Sequence, residues 1–144
     1  MKTQKLVFLW LRLAMGFIFL WAFFDKLLGL GFATTAEKAW INGGSPTFGF
    51  LSFGTKGPFA EIFKSLAGIQ VVDWLFMLGL LFVGITLFAN KYIKWGALAG
   101  SLMMLLMYLA AILPENNPLI DEHIIYIFVL ALLALNHKKE NSVV

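Results

Sequence analysis

The 144-residue chain has no cysteine, which removes disulfide exchange, thiolate nucleophiles, iron–sulfur clusters and Cys-ligated zinc from what it can do alone. Its two histidines, His123 and His137, lie 14 residues apart. On one helix that is ~21 Å along the axis, so they cannot ligate one ion together, and neither a metal nor a haem is expected. Charge is scarce as well. Charged residues make up 13% of the chain, about half the share of a soluble domain, while hydrophobic residues make up 60%. Apolar surface must therefore face lipid as well as a core.

What the chain has in abundance is long apolar runs, at residues 6–24, 69–89, 92–113 and 118–135. Each meets or nearly meets the about 20 residues that an α-helix needs to cross the ~30 Å hydrocarbon layer. The expected fold is all-α: a four-transmembrane-helix bundle forming a single membrane domain, with a long, partly helical first extracytoplasmic loop. Its helices should cover about 6–28, 69–89, 92–113 and 118–136, and the outer loop about 31–68. Lys2 and Lys5 precede the first run as in a signal peptide, but the run is long and no small-residue cleavage site follows, so a retained helix is expected.

The net charge of +3 does not point to nucleic acid, because its distribution has another explanation. Lys2, Lys5, Lys91, Lys94, Lys138 and Lys139 share one side of the expected bundle. On the other side Lys26, Lys38, Lys56 and Lys64 are balanced by Asp25, Glu37, Glu61 and Asp73, and Glu115, Asp121 and Glu122 follow with no basic residue. An excess of lysine marks the cytoplasmic face, so a multi-pass plasma-membrane protein with both termini cytoplasmic is expected.

The first outer loop is too long for a plain helix connection. Thr34 and Glu37 have capping-box spacing for a short helix ending at Trp40, with Asn42 and Gly43 as stop signals. Pro58 suits the first position of a second short helix, which would place Phe59, Ile62, Phe63 and Leu66 on one face and end at Gly68. The uncharged, Phe-rich stretch 43–54 between them has two readings, a lid over the outer end of the bundle or an interfacial anchor.

Beyond the loop, Gly96 and Gly100 allow close helix approach, and Met103, Met104 and Met107 read as packing. Pro114 should end the third helix, with Asn117 and Pro118 capping and opening the fourth. All four helices then bring ionisable residues to the outer end: Asp25 and Lys26, Asp73, Glu115, and Asp121 to His123. Tyr126 follows Glu122 by four and His123 by three, on the same face. Two readings stand. The cluster is a polar pocket in which His123 and a carboxylate move protons, or it is acids favoured by the helix dipole at N-termini that meet water. Arg12 is the one charge well inside a span, either reaching to the headgroups or facing the bundle to bind an acidic or carbonyl group.

The stretch Arg12-Leu13-Ala14-Met15-Gly16-Phe17-Ile18-Phe19-Leu20, continued by Asp25-Lys26-Leu27-Leu28-Gly29, resembles the opening signature of the DoxX/DoxD family of small four-helix membrane proteins. Trp40-Ile41-Asn42-Gly43-Gly44-Ser45-Pro46-Thr47, Asp73-Trp74, and Pro114-Glu115-Asn116-Asn117-Pro118 with Asp121-Glu122-His123 are similar to its DoxD-like branch, identified with the large subunit of thiosulfate:quinone oxidoreductase. The resemblance implies oxidation of thiosulfate to tetrathionate with electrons passed to membrane quinone. Thiosulfate is a dianion and the outer cluster is rich in carboxylates, so a second subunit would have to offset the repulsion. Quinone fits better, because its ring stacks on apolar walls and its oxygens need few donors.

His123, Glu122 and Asp73 are accordingly the candidates for proton transfer, and Tyr126, Lys26, Trp40, Asn42 and Arg12 the candidates for binding the quinone. The leading expectation is a quinone-linked oxidoreductase subunit working with a second subunit or a soluble redox partner. The alternative is a non-catalytic membrane scaffold or anchor for such a partner. Solute transport ranks below both, since no helix is visibly broken at midplane. Monomer and homo-oligomer both remain open.

Overall fold

The computed structural model describes residues 2–113 and 119–141, so Pro114, Glu115, Asn117 and Pro118 fall outside the described residues. Among the described residues there is no strand. The elements are α1 (Lys2–Leu28), two 3₁₀ turns (Ala36–Lys38 and Trp40–Asn42), a π-helical turn (Phe50–Gly54), α2 (Ala60–Lys64), α3 (Gln70–Ala89), α4 (Ile93–Ala110) and α5 (Glu122–Asn141). Three of these, α1, α3 and α4, are long and apolar enough to cross a membrane, and α5 supplies a shorter apolar stretch, Glu122–His137.

The four long helices pack antiparallel in sequence order, and small residues set how closely they approach. Gly16 of α1 faces Leu87 and Phe88 of α3, and Gly84 of α3 faces Leu20 of α1. Gly96 of α4 lies against Thr86 of α3. At Gly100 all four helices meet, because a Cβ there would stand 2.9 Å from Leu130, 3.1 Å from Val83 and 3.4 Å from Phe19. Without a hydrophobic drive between helices in lipid, such close van der Waals contact is the main source of association. Phe19, Met77, Val83, Leu87, Ile93 and Leu130 form the buried centre. Around it the outer faces are apolar too: Trp10, Leu75 and Phe128 are each more than 60% exposed. A contiguous apolar exterior of this kind suits acyl chains rather than water.

The bundle has two unlike ends. At one, α3 turns into α4 through Asn90, Lys91 and Tyr92, with Asn90 and Tyr92 both at positive φ (55° and 58°). This is the hairpin end. At the other, the loop end, the long connection between α1 and α3 is tied to three helix termini. The buried Asp25 near the end of α1 accepts the N–H groups of Phe32 (3.2 Å) and Ala33 (2.9 Å). Asp73 in the first turn of α3 holds Ser45 and Thr47. The Lys56 N–H donates to the Ala110 carbonyl at the end of α4 over 2.9 Å. Of the two readings of the loop, this is the geometry of a cover over the helix ends, although Phe53 stays 84% exposed.

Several boundaries differ from the sequence expectation. α4 ends at Ala110 rather than 113, because the Ala110 carbonyl is taken by the loop at Lys56. α5 starts at Glu122 rather than 118, because Asp121 caps it: Asp121 Oδ1 accepts the N–H groups of His123 (3.0 Å) and Ile124 (3.3 Å). No capping box forms at Thr34, whose side chain is buried and whose carbonyl accepts the Gly31 N–H. The second loop helix begins at Ala60, not Pro58, and is a single turn carrying a Glu61–Lys64 ion pair of 3.0 Å.

Candidate functional site

The loop end gathers most of the expected site residues, but it gives several of them structural partners. Asp73 is 5% exposed, and one of its oxygens receives the Ser45 hydroxyl (2.8 Å), the Thr47 N–H (3.2 Å) and the Thr47 hydroxyl (2.5 Å). Ser45 Oγ in turn accepts the Phe48 N–H (3.1 Å). A carboxylate so engaged anchors the loop, and charge-assisted bonds of this kind are the strong ones. Asn42 donates its side-chain amide to the Ala36 carbonyl (2.8 Å) and braces the two 3₁₀ turns. Trp40 meets Trp74 edge to face at 4.6 Å, which joins the loop to α3 beside Asp73.

His123 is paired with Asp121, not with Glu122. Its Nδ1 lies 2.7 Å from Asp121 Oδ2, and both side chains are 14% exposed. Burial raises the Asp121 pKa, but the bond to His123, the backbone N–H groups and the His123 charge outweigh it and leave the carboxyl below its ordinary value. Ionised Asp121 is acceptor-only, so Nδ1 is the donor, and no bond of Nε2 is formed among the described residues. Asp121 is the residue whose role the sequence reading missed. An Asp two positions before a His at a helix start is the signal that could have found it, since one carboxylate there can cap the helix and orient the ring.

Glu122 is exposed. One ligand atom from each of Asp121, Glu122 and His123 lies within 4.8 Å of the others, but Asp121 already uses both oxygens. A cation would have to displace His123 from its partner to bind there. Glu115, expected in the same cluster, lies outside the described residues.

Lys26 Nζ and the Tyr126 hydroxyl have no hydrogen-bond or ion-pair partner among the described residues. Lys26 Nζ sits over the Phe76 ring, 5.8 Å from its centroid. The Tyr126 hydroxyl is on the second turn of α5, and Tyr126, Phe76 and Trp40 pack, partly buried, against the same core. Arg12 belongs elsewhere. Its guanidinium donates to the Leu87 and Phe88 carbonyls in the last turn of α3, about 20 Å along that helix from Asp73. Of the two readings of Arg12, it takes the carbonyl-binding one, where a cation also meets the negative end of the helix dipole.

The fold therefore defines a bundle of apolar helices with one end tied to the long loop, where Asp121 and His123 pair, and a lysine-bearing hairpin end. No family model, curated protein or solved structure matches the chain.

Proposed function

We propose that the chain is an integral membrane protein of DoxX/DoxD type and a quinone-linked oxidoreductase subunit. In this reading all four long helices cross the plasma membrane, both termini are cytoplasmic, and the loop end faces outward. The lysine-rich hairpin end supports the orientation. The apolar part of α5 spans about 24 Å, short of the ~30 Å core, a mismatch that local thinning accommodates at modest cost.

The observation that carries the functional reading is the Asp121–His123 pair. A quinone that accepts two electrons also takes up two protons, and a histidine held by an ionised aspartate, with its far nitrogen free, is suited to supply them. Lys26 and the Tyr126 hydroxyl are the uncommitted donors for quinone oxygens, and Phe76, Trp40 and Trp74 supply aromatic surface. Oxidation of two thiosulfates to tetrathionate releases two electrons and no protons, so that reaction too would need a proton relay. The electrons would come from a second subunit or a soluble partner. Asp73 has a narrower place here than the sequence suggests: it fixes the cover over the site. A quinone analogue titrated into purified protein should bind, and His123→Ala should weaken it by about tenfold or more. Equal affinity in wild type and variant would contradict the reading.

A second reading, a scaffold for a redox partner, is favoured by one feature. The anchored loop displays Phe48, Phe53 and Ile62 outward on a rigid support. Phe53→Ser would then abolish partner capture while His123→Ala stayed silent.

A further inference from the structure

Beyond Leu28 the chain does not leave α1 but folds back along its exposed side. Gly29 and Gly31, both at positive φ (68° and 87°), make the reversal, and a Cβ on Gly29 would stand 2.6 Å from the backbone of Thr35 and Ala36. Phe32 then rests edge-on against Trp21 at 4.9 Å, and Trp21 stacks on Phe17 at 5.6 Å. All three rings are exposed, Phe32 at 74%. The group that holds them there is buried: the Asp25 carboxylate accepts the Phe32 and Ala33 N–H groups. The Gly29 N–H goes to the Asp25 carbonyl and the Gly31 N–H to the Thr34 carbonyl, and residues 27–36 carry no charge.

We propose that this hook is a lipid anchor, with Phe32 and Trp21 inserted at the boundary between headgroups and acyl chains of the leaflet at the loop end. Asp25 and Trp21 lie roughly 5 and 10 Å along α1 before its last residue, Leu28, so the hook returns Phe32 to a depth of that order below the helix end. Aromatic rings favour that level of a bilayer. The backbone supports the same placement. Irregular chain does not enter the hydrocarbon proper, and it approaches the boundary only when its N–H groups have partners of their own. Those of Gly29, Gly31, Phe32 and Ala33 are all taken within the hook or by Asp25, a condition that water would not require. Lipid is favoured over a protein partner by continuity, because the rings extend the apolar exterior of α1 that Phe24 and Leu28 also form. The anchor fixes the depth of the last turn of α1, which carries Lys26. It is separate from the quinone reading and requires only that the bundle sits in lipid.

The chain has no cysteine, so one nitroxide label can be placed at Phe32→Cys in the full chain and the protein reconstituted in phosphatidylcholine vesicles. Power-saturation electron paramagnetic resonance then compares collisions of the label with oxygen, which concentrates in the bilayer, and with a water-soluble nickel chelate. Oxygen should dominate at position 32, as at the exposed apolar Phe128→Cys, and the chelate should dominate at the exposed Lys38→Cys. Adding Asp25→Ala should shift the label at 32 to the Lys38 profile, and Asp25→Asn, which keeps one acceptor oxygen, should shift it part of the way. A label at Leu30→Cys answers the same question with Phe32 intact. Chelate-dominated collisions at both 30 and 32 would overturn the proposal, as would a profile that neither Asp25 variant moves while helical circular dichroism persists. Protection of the label from both reagents would assign the rings to a protein contact and overturn the lipid assignment.

Discussion

Asp121 serves His123 twice: one oxygen accepts the His123 backbone N–H at 3.0 Å while the other holds the ring Nδ1 at 2.7 Å. Helix start and ring orientation are thus set by one side chain, and the two roles can be separated. Asn caps helices as well as Asp does, so Asp121→Asn should lose only what the charge adds and stay more stable than Asp121→Ala, which also loses the cap at about 1 kcal/mol. If Asp121 also fixes the ring for proton transfer, both variants should weaken quinone-dependent turnover. Turnover that tracks only stability would reduce Asp121 to a cap.

The same group gives a pH dependence. Its folded pKa lies below the ordinary value of 3.8, so the folded state binds that proton less readily than the unfolded chain. Its contribution is complete above the unfolded value and is lost as pH falls through the folded one. Wild type should therefore melt above Asp121→Asn at neutral pH and lose that advantage on acidification below about pH 4, read from paired melting curves in detergent.

Asp73 gathers three donors from the loop, and its removal should free the cover rather than the bundle. Asp73→Ala is expected to cost on the order of 3 kcal/mol, because it leaves buried donors without an acceptor. Limited proteolysis should then cut within residues 43–54 much faster than in wild type, while helical circular dichroism persists. Unchanged cleavage would show that the loop is held by its other anchors.

Close packing at Gly96 can be tested directly. A side chain there runs into Thr86, itself fixed by a bond to the Val83 carbonyl (2.9 Å). Gly96→Val should destabilise the bundle by about 1–3 kcal/mol, and adding Thr86→Ala should recover part of the loss.

The long helices were legible in the sequence because apolar runs of spanning length have few other folds open to them. Gly96 and Gly100 were legible for the same local reason. The start of α5 was not, since Asn117-Pro118 and Asp121 are both sound start signals, and only the side-chain bonds of Asp121 decide between them. Nor could the partners of Asp73 be read. Ser45 and Thr47 lie more than 25 positions away, and nothing local distinguishes an acid that anchors a loop from one that transfers a proton. The sequence pointed to Asp25, Lys26, Asp73 and Asp121 to His123 as a group but could not say which members would be engaged. Arg12 shows the limit most plainly, because it shares one helix with Lys26 yet binds the last turn of α3 at the hairpin end, while Lys26 lies at the loop end.

The central claim, that the loop end receives a quinone headgroup, is tested most directly by photolabelling the purified protein with an azidoquinone and mapping the adducts. The account predicts adducts on peptides containing His123 and Tyr126, or Lys26 and Phe76, competed away by unlabelled quinone and reduced in His123→Ala. Adducts confined to the hairpin end, or a pattern that competition leaves unchanged, would contradict it.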